Sequence, residues 1–240
     1  MRPQSIMALG ALLLTASALA LAVAGCETGT SIGIGTTAEQ DTYTIAEPVT
    51  SLRIDNPVGN THIEGTDDTT VSVTEQLHYT GDPPQTSHSV TSGQLNLSYT
   101  CPAETVNVNT CGVTYVVTVP RRIAVEIDGK VGATTVTGLA GQLALTSSTG
   151  SIDATGLTSN AVTARASAGT ITLGFTAPPT TVNAQAQVGS VTVQLPAGTA
   201  YAVDAGSQVG SAAVTVQRDP GSAHRVTAHS QVGSVTVQNG

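Results

Sequence analysis

The architecture rests on one octapeptide, Gln187-Val188-Gly189-Ser190-Val191-Thr192-Val193-Gln194. It returns intact in character as Gln231-Val232-Gly233-Ser234-Val235-Thr236-Val237-Gln238. Between them lies Gln208-Val209-Gly210-Ser211-Ala212-Ala213-Val214-Thr215-Val216-Gln217. After each glycine, β-branched and polar residues alternate, which is the period of a strand with one face buried. The glycine at the head of each strand reads as a corner, where the backbone needs positive φ or lies close to a stacked neighbour. In the middle copy Ala212-Ala213 reads as a two-residue insertion, a number that leaves the facing of later side chains unchanged.

Looser copies extend the pattern backward: Val131-Gly132-Ala133, Thr149-Gly150-Ser151-Ile152 and Ala168-Gly169-Thr170-Ile171, with an early relative in Pro57-Val58-Gly59-Asn60-Thr61-His62-Ile63. From Gly132 the corner glycines fall 18, 19, 20, 21 and 23 residues apart. A unit of about 20 residues is too short for a domain and suits one rung of a solenoid, stacked on the next at about 4.7–4.8 Å. The expected class is therefore all-β, a parallel β-helix or β-solenoid. Gly59, Gly132, Gly150, Gly169, Gly189, Gly210 and Gly233 are its expected rung corners. Inward Val, Ile, Leu and Ala would make a narrow core, and Gln187, Gln208 and Gln231 would stack as an amide ladder that adds stability, with a solvated row as the other reading.

Residues 41–120 read differently. Longer alternating stretches, Leu52-Arg53-Ile54, Thr70 to Tyr79, Gln94 to Tyr99 and Val113 to Val119, are separated by loops such as Gly81-Asp82-Pro83-Pro84. This part is expected to be an antiparallel hairpin or meander covering one end of the solenoid, with the regular rungs in 121–240. Nothing near 120 resembles a linker, so 41–240 is taken as one domain.

The first residues are an address. Arg2 is followed by an apolar run that ends Leu21-Ala22-Val23-Ala24-Gly25-Cys26. Small residues before a cleavage point mark a signal peptide, and the Cys directly after them resembles a bacterial lipobox. Residues 1–25 are expected to be removed and Cys26 lipidated. Residues 26–40, rich in Gly, Thr and Ser, would then tether the domain to the extracytoplasmic face of the cell membrane. A plain signal peptide and an uncleaved anchor are the other readings. The Ala-, Thr-, Val- and Gly-rich composition is like that of secreted proteins from high-GC Gram-positive bacteria. In an exported chain, Cys101 and Cys111 remain as an even pair. A disulfide between them is expected, with two free thiols as the alternative.

Composition narrows the function. The chain has 240 residues, 8 Lys+Arg against 16 Asp+Glu, one Phe, five Tyr and no Trp. Loss of Arg2 leaves 7 basic against 16 acidic side chains, a net charge of −9. That excludes nucleic acid as a partner. A solenoid enzyme would need clustered carboxylates, yet along 131–240 the acids are Asp153, Asp204 and Asp219, and the bases Arg165, Arg218 and Arg225. Phe175 and Tyr201 are the aromatics there. Asp67-Asp68, the pair His62 and Glu64, and His224 with His229 lack the further ligands a metal needs. No catalytic residue, cofactor or metal site is assigned. The final strand, Val235 to Gly240, is expected to be an uncovered edge able to pair with an envelope protein or a second copy.

Ile54-Asp55-Asn56-Pro57-Val58-Gly59-Asn60, Val117-Thr118-Val119-Pro120-Arg121-Arg122, Gly138-Leu139-Ala140-Gly141 and the Gly-Ser/Thr-Ile/Val rungs follow in an order that resembles one bacterial family. It is the adhesin-like domain-of-unknown-function family, β-solenoids related to the head GIN domain, and the resemblance covers about 42–240. It implies a solenoid fold, an envelope location and an adhesin label, with some members tied to envelope-stress signalling and no catalytic motif attached. The expected function is a non-enzymatic surface interaction module. The alternatives are a stress-signalling component beside a membrane sensor, or a carbohydrate-active enzyme.

Overall fold

A computed structural model of the chain describes residues 36–102 and 111–240; Cys26 lies outside them. In chain order the strands are β1 (Thr37–Ile45), β2 (Ser51–Val58), β3 (Thr61–Thr66), β4 (Val71–Tyr79), β5 (Gln85–Thr91), β6 (Gln94–Thr100) and β7 (Cys111–Pro120). The regular part continues with β8 (Ala124–Val131), β9 (Thr134–Thr137), β10 (Leu143–Thr149), β11 (Ile152–Leu157), β12 (Ala161–Ala168) and β13 (Ile171–Phe175). It closes with β14 (Thr181–Val188), β15 (Val191–Leu195), β16 (Ala202–Val209), β17 (Ala212–Val214), β18 (Arg225–Val232) and β19 (Val235–Asn239).

Each rung is two strands joined at a glycine corner, one strand in each of two facing sheets. The ten-stranded sheet runs β1-β4-β7-β3-β9-β11-β13-β15-β19-β17, and the nine-stranded sheet runs β16-β18-β14-β12-β10-β8-β2-β6-β5. Rungs pair in parallel, and alternate residues point into one shared core. In the nine-stranded sheet one inward column runs Leu97, Ile54, Ile127, Leu145 and then Ala164, Ala184, Ala228. The change from Leu and Ile to Ala narrows this column toward the later rungs. Leu173, Val193 and Val237 remain on the other sheet.

Antiparallel pairing is present in the N-terminal part, in β1–β4, β4–β7 and β5–β6. Within the same 41–120 segment, however, β2 and β3 form a true rung. β2 is parallel to β6 and β8, and β3 is parallel to β7 and β9. Alternation alone does not distinguish parallel from antiparallel neighbours; the Gly59 corner does. Tyr99 clamps this rung: its hydroxyl donates to the Val58 carbonyl at 2.5 Å and accepts from the Val58 amide at 2.7 Å.

Stacking order departs from chain order at both ends. The β2/β3 rung sits between β6/β7 and β8/β9, and the β18/β19 rung sits between β14/β15 and β16/β17. The expectation of an uncovered C-terminal edge strand is therefore corrected. β19 is hydrogen-bonded to β15 on one side and β17 on the other. After β17 the chain runs through 215–224, covers the outer rung with buried Val216, is hydrogen-bonded there to buried Tyr201, and re-enters the slot. The outer rung ends the ten-stranded sheet on β17, only three residues long, a length that blunts an edge against pairing, and the nine-stranded sheet on β16, eight residues long. The register also removes the inferred insertion: Ala212-Ala213-Val214 pair with Val235-Thr236-Val237, and the chain leaves the sheet at Thr215. Both copies simply count outward from their corner glycines.

Those glycines form one column, 59–132–150–169–189–233–210, in which a Cβ on each of the last six would collide with the backbone carbonyl of a column neighbour. At Gly189, φ is +143° and a Cβ would stand 1.9 Å from the Gly169 oxygen. Small polar side chains on the inner side hold the corner carbonyls: Ser147 donates to Gly150, Ser230 to Gly189 and Ser207 to Gly233. The β6/β7 rung replaces its glycine corner with a disulfide, Cys101–Cys111, across a sequence separation of 10. In the chain-entropy account such a loop contributes about 3 kcal/mol.

Candidate interaction surface

The longer strands bend just before each corner. In the pairing of β10 with β12, Ser147 meets Ala166 and Thr149 meets Ala168, while Ser148 and Ser167 between them are skipped. The same skip recurs at Gln187 and Gln231. Beyond the skip, residues whose parity would aim them inward emerge outside. Val58, Val131, Val188, Val209 and Val232 are 44–64% exposed, the large apolar side chains exposed among the described residues. Val188, Val232 and Val209 are direct register neighbours and make a short apolar ridge. The valine before five of the seven corner glycines is the signal in the sequence; periodicity alone assigns it to the core.

Beside the ridge, an open groove of about 570 Å³ crosses β10, β12, β14, β18 and β16. Thr146, Arg165, Gln185, His229 and Gly206 line one side in successive register. Ser167, Gln187, Gln231 and Gln208 line the other. The three glutamines of the repeated octapeptide thus come together, in the spatial order 187–231–208. No hydrogen bond joins their amides, so the expected amide ladder is absent among the described residues. Adjacent strands bring the side chains alongside, but at the position where the register is skipped.

His229 Nε2 lies 3.2 Å from the Asp204 carboxylate. Past Asp204 a second hollow of about 790 Å³ is bordered by Arg218 and Arg225. The other basic side chains of the described residues are mostly paired: Arg53 with Glu126, Arg121 with Asp67, and Lys130 with Asp128. Arg165, Arg218 and Arg225 have no ion pair and gather on this one face.

The remaining sequence candidates are dispersed. Asp67 is 2.7 Å from Arg121 Nε, and Arg121 also donates to the Gly138 carbonyl, so the pair closes a corner. His62 and Glu64 lie on β3. His224 is 2.7 Å from the Pro179 carbonyl and edge-on to Tyr201. Phe175 and Tyr201 are buried and offer no face to a ligand. Among the described residues, no three His, Cys, Asp or Glu side chains stand close enough to share a metal ion.

A second polar cluster, in the N-terminal cap, is structural. The Glu75 side chain is buried and accepts a 2.7 Å hydrogen bond from Tyr43, whose ring stacks on His88. Tyr79 donates to Glu39 at 2.6 Å. These bonds fasten β1 to β4. Burial pushes the phenols of Tyr43 and Tyr115 well above the ordinary tyrosine range, and for both the Glu75 carboxylate adds to the push. A raised phenol favours the fold fully below its unfolded value, about 10, and this contribution fades as pH rises beyond it. Stability is therefore expected to fall above about pH 10, by about 1.4 kcal/mol per pH unit from Tyr115 alone. Phenolate absorbance should appear together with unfolding. Free titration of all five tyrosines near pH 10 in the folded chain would contradict this.

The family model described as Toastrack DUF4097 matches residues 89–238. No curated protein matches the chain. Two solved structures share the fold. One is provisionally named a cell adhesion protein, from Clostridium sporogenes, with 16% identity, TM-score 0.52, and 85% of this chain and 100% of that one covered. The other is provisionally named an adhesin, from Bacteroides fragilis, with 15% identity, TM-score 0.51, and 85% and 97% covered.

Proposed function

This chain belongs to the Toastrack DUF4097 family, and on that ground we propose that it is a non-enzymatic, adhesin-like interaction module, lipid-anchored through Cys26 outside the cell membrane. The observation that carries the reading is the outer face of the nine-stranded sheet. A rigid parallel stack there presents an apolar ridge and four unbonded glutamines over five successive strands, with Arg165 and Arg225 on the strands and Arg218 on the covering segment beside them. Parallel stacking fixes the spacing of such a face, which suits repeated weak contacts with an extended partner.

Against catalysis, Asp153 is on β11 and Asp204 on β16, in different sheets, and Asp219 lies in the covering loop, bonded to the Gly221 amide. Carboxylates so placed cannot flank one bond of a substrate. The sequence of the apolar run and Cys26 supports the anchor, and the residues from 26 to 36 supply the reach; the expected tether of 26–40 is shortened, because Thr37 to Gln40 already pair with β4 as part of β1.

The test is made in cells that produce the protein. Its loss is expected to lower their retention on a surface or on neighbouring cells. Cys26→Ser is expected to release the protein into the medium, to end labelling by a fatty-acid analogue, and to leave retention unrestored. Unchanged retention without the protein would overturn the adhesive reading. Continued labelling of Cys26→Ser would overturn the anchor.

A further inference from the structure

We infer that the groove across β10, β12, β14, β18 and β16 binds a glycan chain carrying spaced carboxylates, with Arg165 as its anchoring cation. This deepens the adhesin-like reading and rests on it. The chain is acidic, yet three arginines without an ion pair among the described residues border the groove and the adjoining hollow. The acid on this rim, Asp204, is engaged by His229. Arg165 is flanked in register by Thr146 and Gln185, so no carboxylate beside it competes for its guanidinium. A free guanidinium fork matches a carboxylate in two parallel hydrogen bonds. Charges farther than about 8 Å are screened at physiological ionic strength, so the acidic remainder of the chain does not cancel this local site.

Amides line much of the groove. Among the described residues, Gln185, Gln187, Gln208 and Gln231 make no side-chain hydrogen bond, and they face one groove. An amide both donates and accepts, as sugar hydroxyls do. The lining recurs once per strand, about 4.8 Å, close to the advance of a β-linked pyranose chain. An extended peptide, rising about 3.3 Å per residue, falls out of step along the same axis. Flanking Val188, Val232 and Val209 supply the apolar wall that the C–H faces of sugars require in place of an aromatic ring.

The experiment is calorimetric titration of the full chain with a soluble cello-oligosaccharide oxidised at a minority of its C6 positions. The unoxidised oligosaccharide and an oligoglutamate peptide are titrated beside it. The oxidised glycan is expected to bind at least about tenfold more tightly than either. Arg165→Gln is expected to weaken its binding about tenfold or more, and the double variant Gln187→Ala/Gln231→Ala to weaken both glycans. All these side chains are at the surface, and unchanged melting of each variant verifies its fold. Absence of binding by the oxidised glycan, binding indifferent to Arg165→Gln, or equal binding of oligoglutamate would each overturn the inference. Cellular retention separates it from the broader reading. If retention needs the protein while the oxidised glycan does not bind, the groove assignment falls and adhesion stands.

Discussion

Gly189→Ala is expected to cost at least about 3 kcal/mol, a drop of roughly 6–12 °C in melting temperature. The new methyl carbon would stand 1.9 Å from the Gly169 carbonyl oxygen and 2.6 Å from its carbon, both backbone atoms in a stack paired on each side. Neither can move without stretching ladders in both sheets. The alanine would also be held at φ of +143°, which side chains disfavour. Gly198→Ala isolates the backbone term. Gly198 has φ of +82°, but nothing lies within 4 Å of its would-be Cβ, so a loss of about 1 kcal/mol is expected. Equal melting of the two variants would show that the glycine column is not a close-packed spine.

The second large effect is a reversal of the usual rule that shortening a repeat protein costs stability in proportion. A chain ended after Ser222 loses β18 and β19 and with them both partners of the outer rung. β16 and β17 then have no neighbour, since β18 and β19 are what pair them. The removed rung also takes buried Val226, Val235 and Val237 from the core. At about 1.5–3 kcal/mol per buried valine, the loss is roughly 5–9 kcal/mol, comparable to the whole stability of an ordinary domain. A chain ended after Leu195 is shorter but ends on an intact rung, β14/β15. It is expected to melt cooperatively and at a higher temperature than the longer chain ended after Ser222. Melting curves of both, with sedimentation to detect association, decide the matter. If the longer truncate is the more stable, β16 and β17 have paired directly with β14 and β15, and the inserted rung is not what holds the outer one.

Much of the architecture is legible in the sequence, for a local reason. Val191 and Val193 alternate with Thr192 and Gln194 because one side of the strand is buried, and that alternation needs no knowledge of the partner. The corner glycines are legible because a bare Cα is demanded wherever rungs touch at a turn. Residues 51–66 are harder. They carry the same corner, but the loops on either side suggest hairpins. The candidate site is legible only in parts. Arg165 stands out as one of few bases, and Gln187, Gln208 and Gln231 as a repeated position; their meeting in one groove comes from stacking. Parity misplaces the exposed valines, because the skipped residue before each corner reverses the facing of the residues after it.

Sequence alone dictates that the chain alternates, turns at glycines about every 20 residues, and so stacks rungs in parallel around a thin Val, Leu, Ile and Ala core. Those are properties of short segments, and short segments encode them fully. The order of the rungs is settled only at the tertiary level. Val191-Thr192-Val193-Gln194 and Val235-Thr236-Val237-Gln238 offer the same residues and the same backbone hydrogen bonds to any neighbour, so no local pattern ranks β19 beside β15 over β17 beside β15. The choice rests with the segment 215–224 and Tyr201, which close the outer rung and turn the chain back into the slot between β14 and β16. That return also sets Gln231 between Gln187 and Gln208, and His229 between Gln185 and Gly206 within reach of Asp204, which completes the groove.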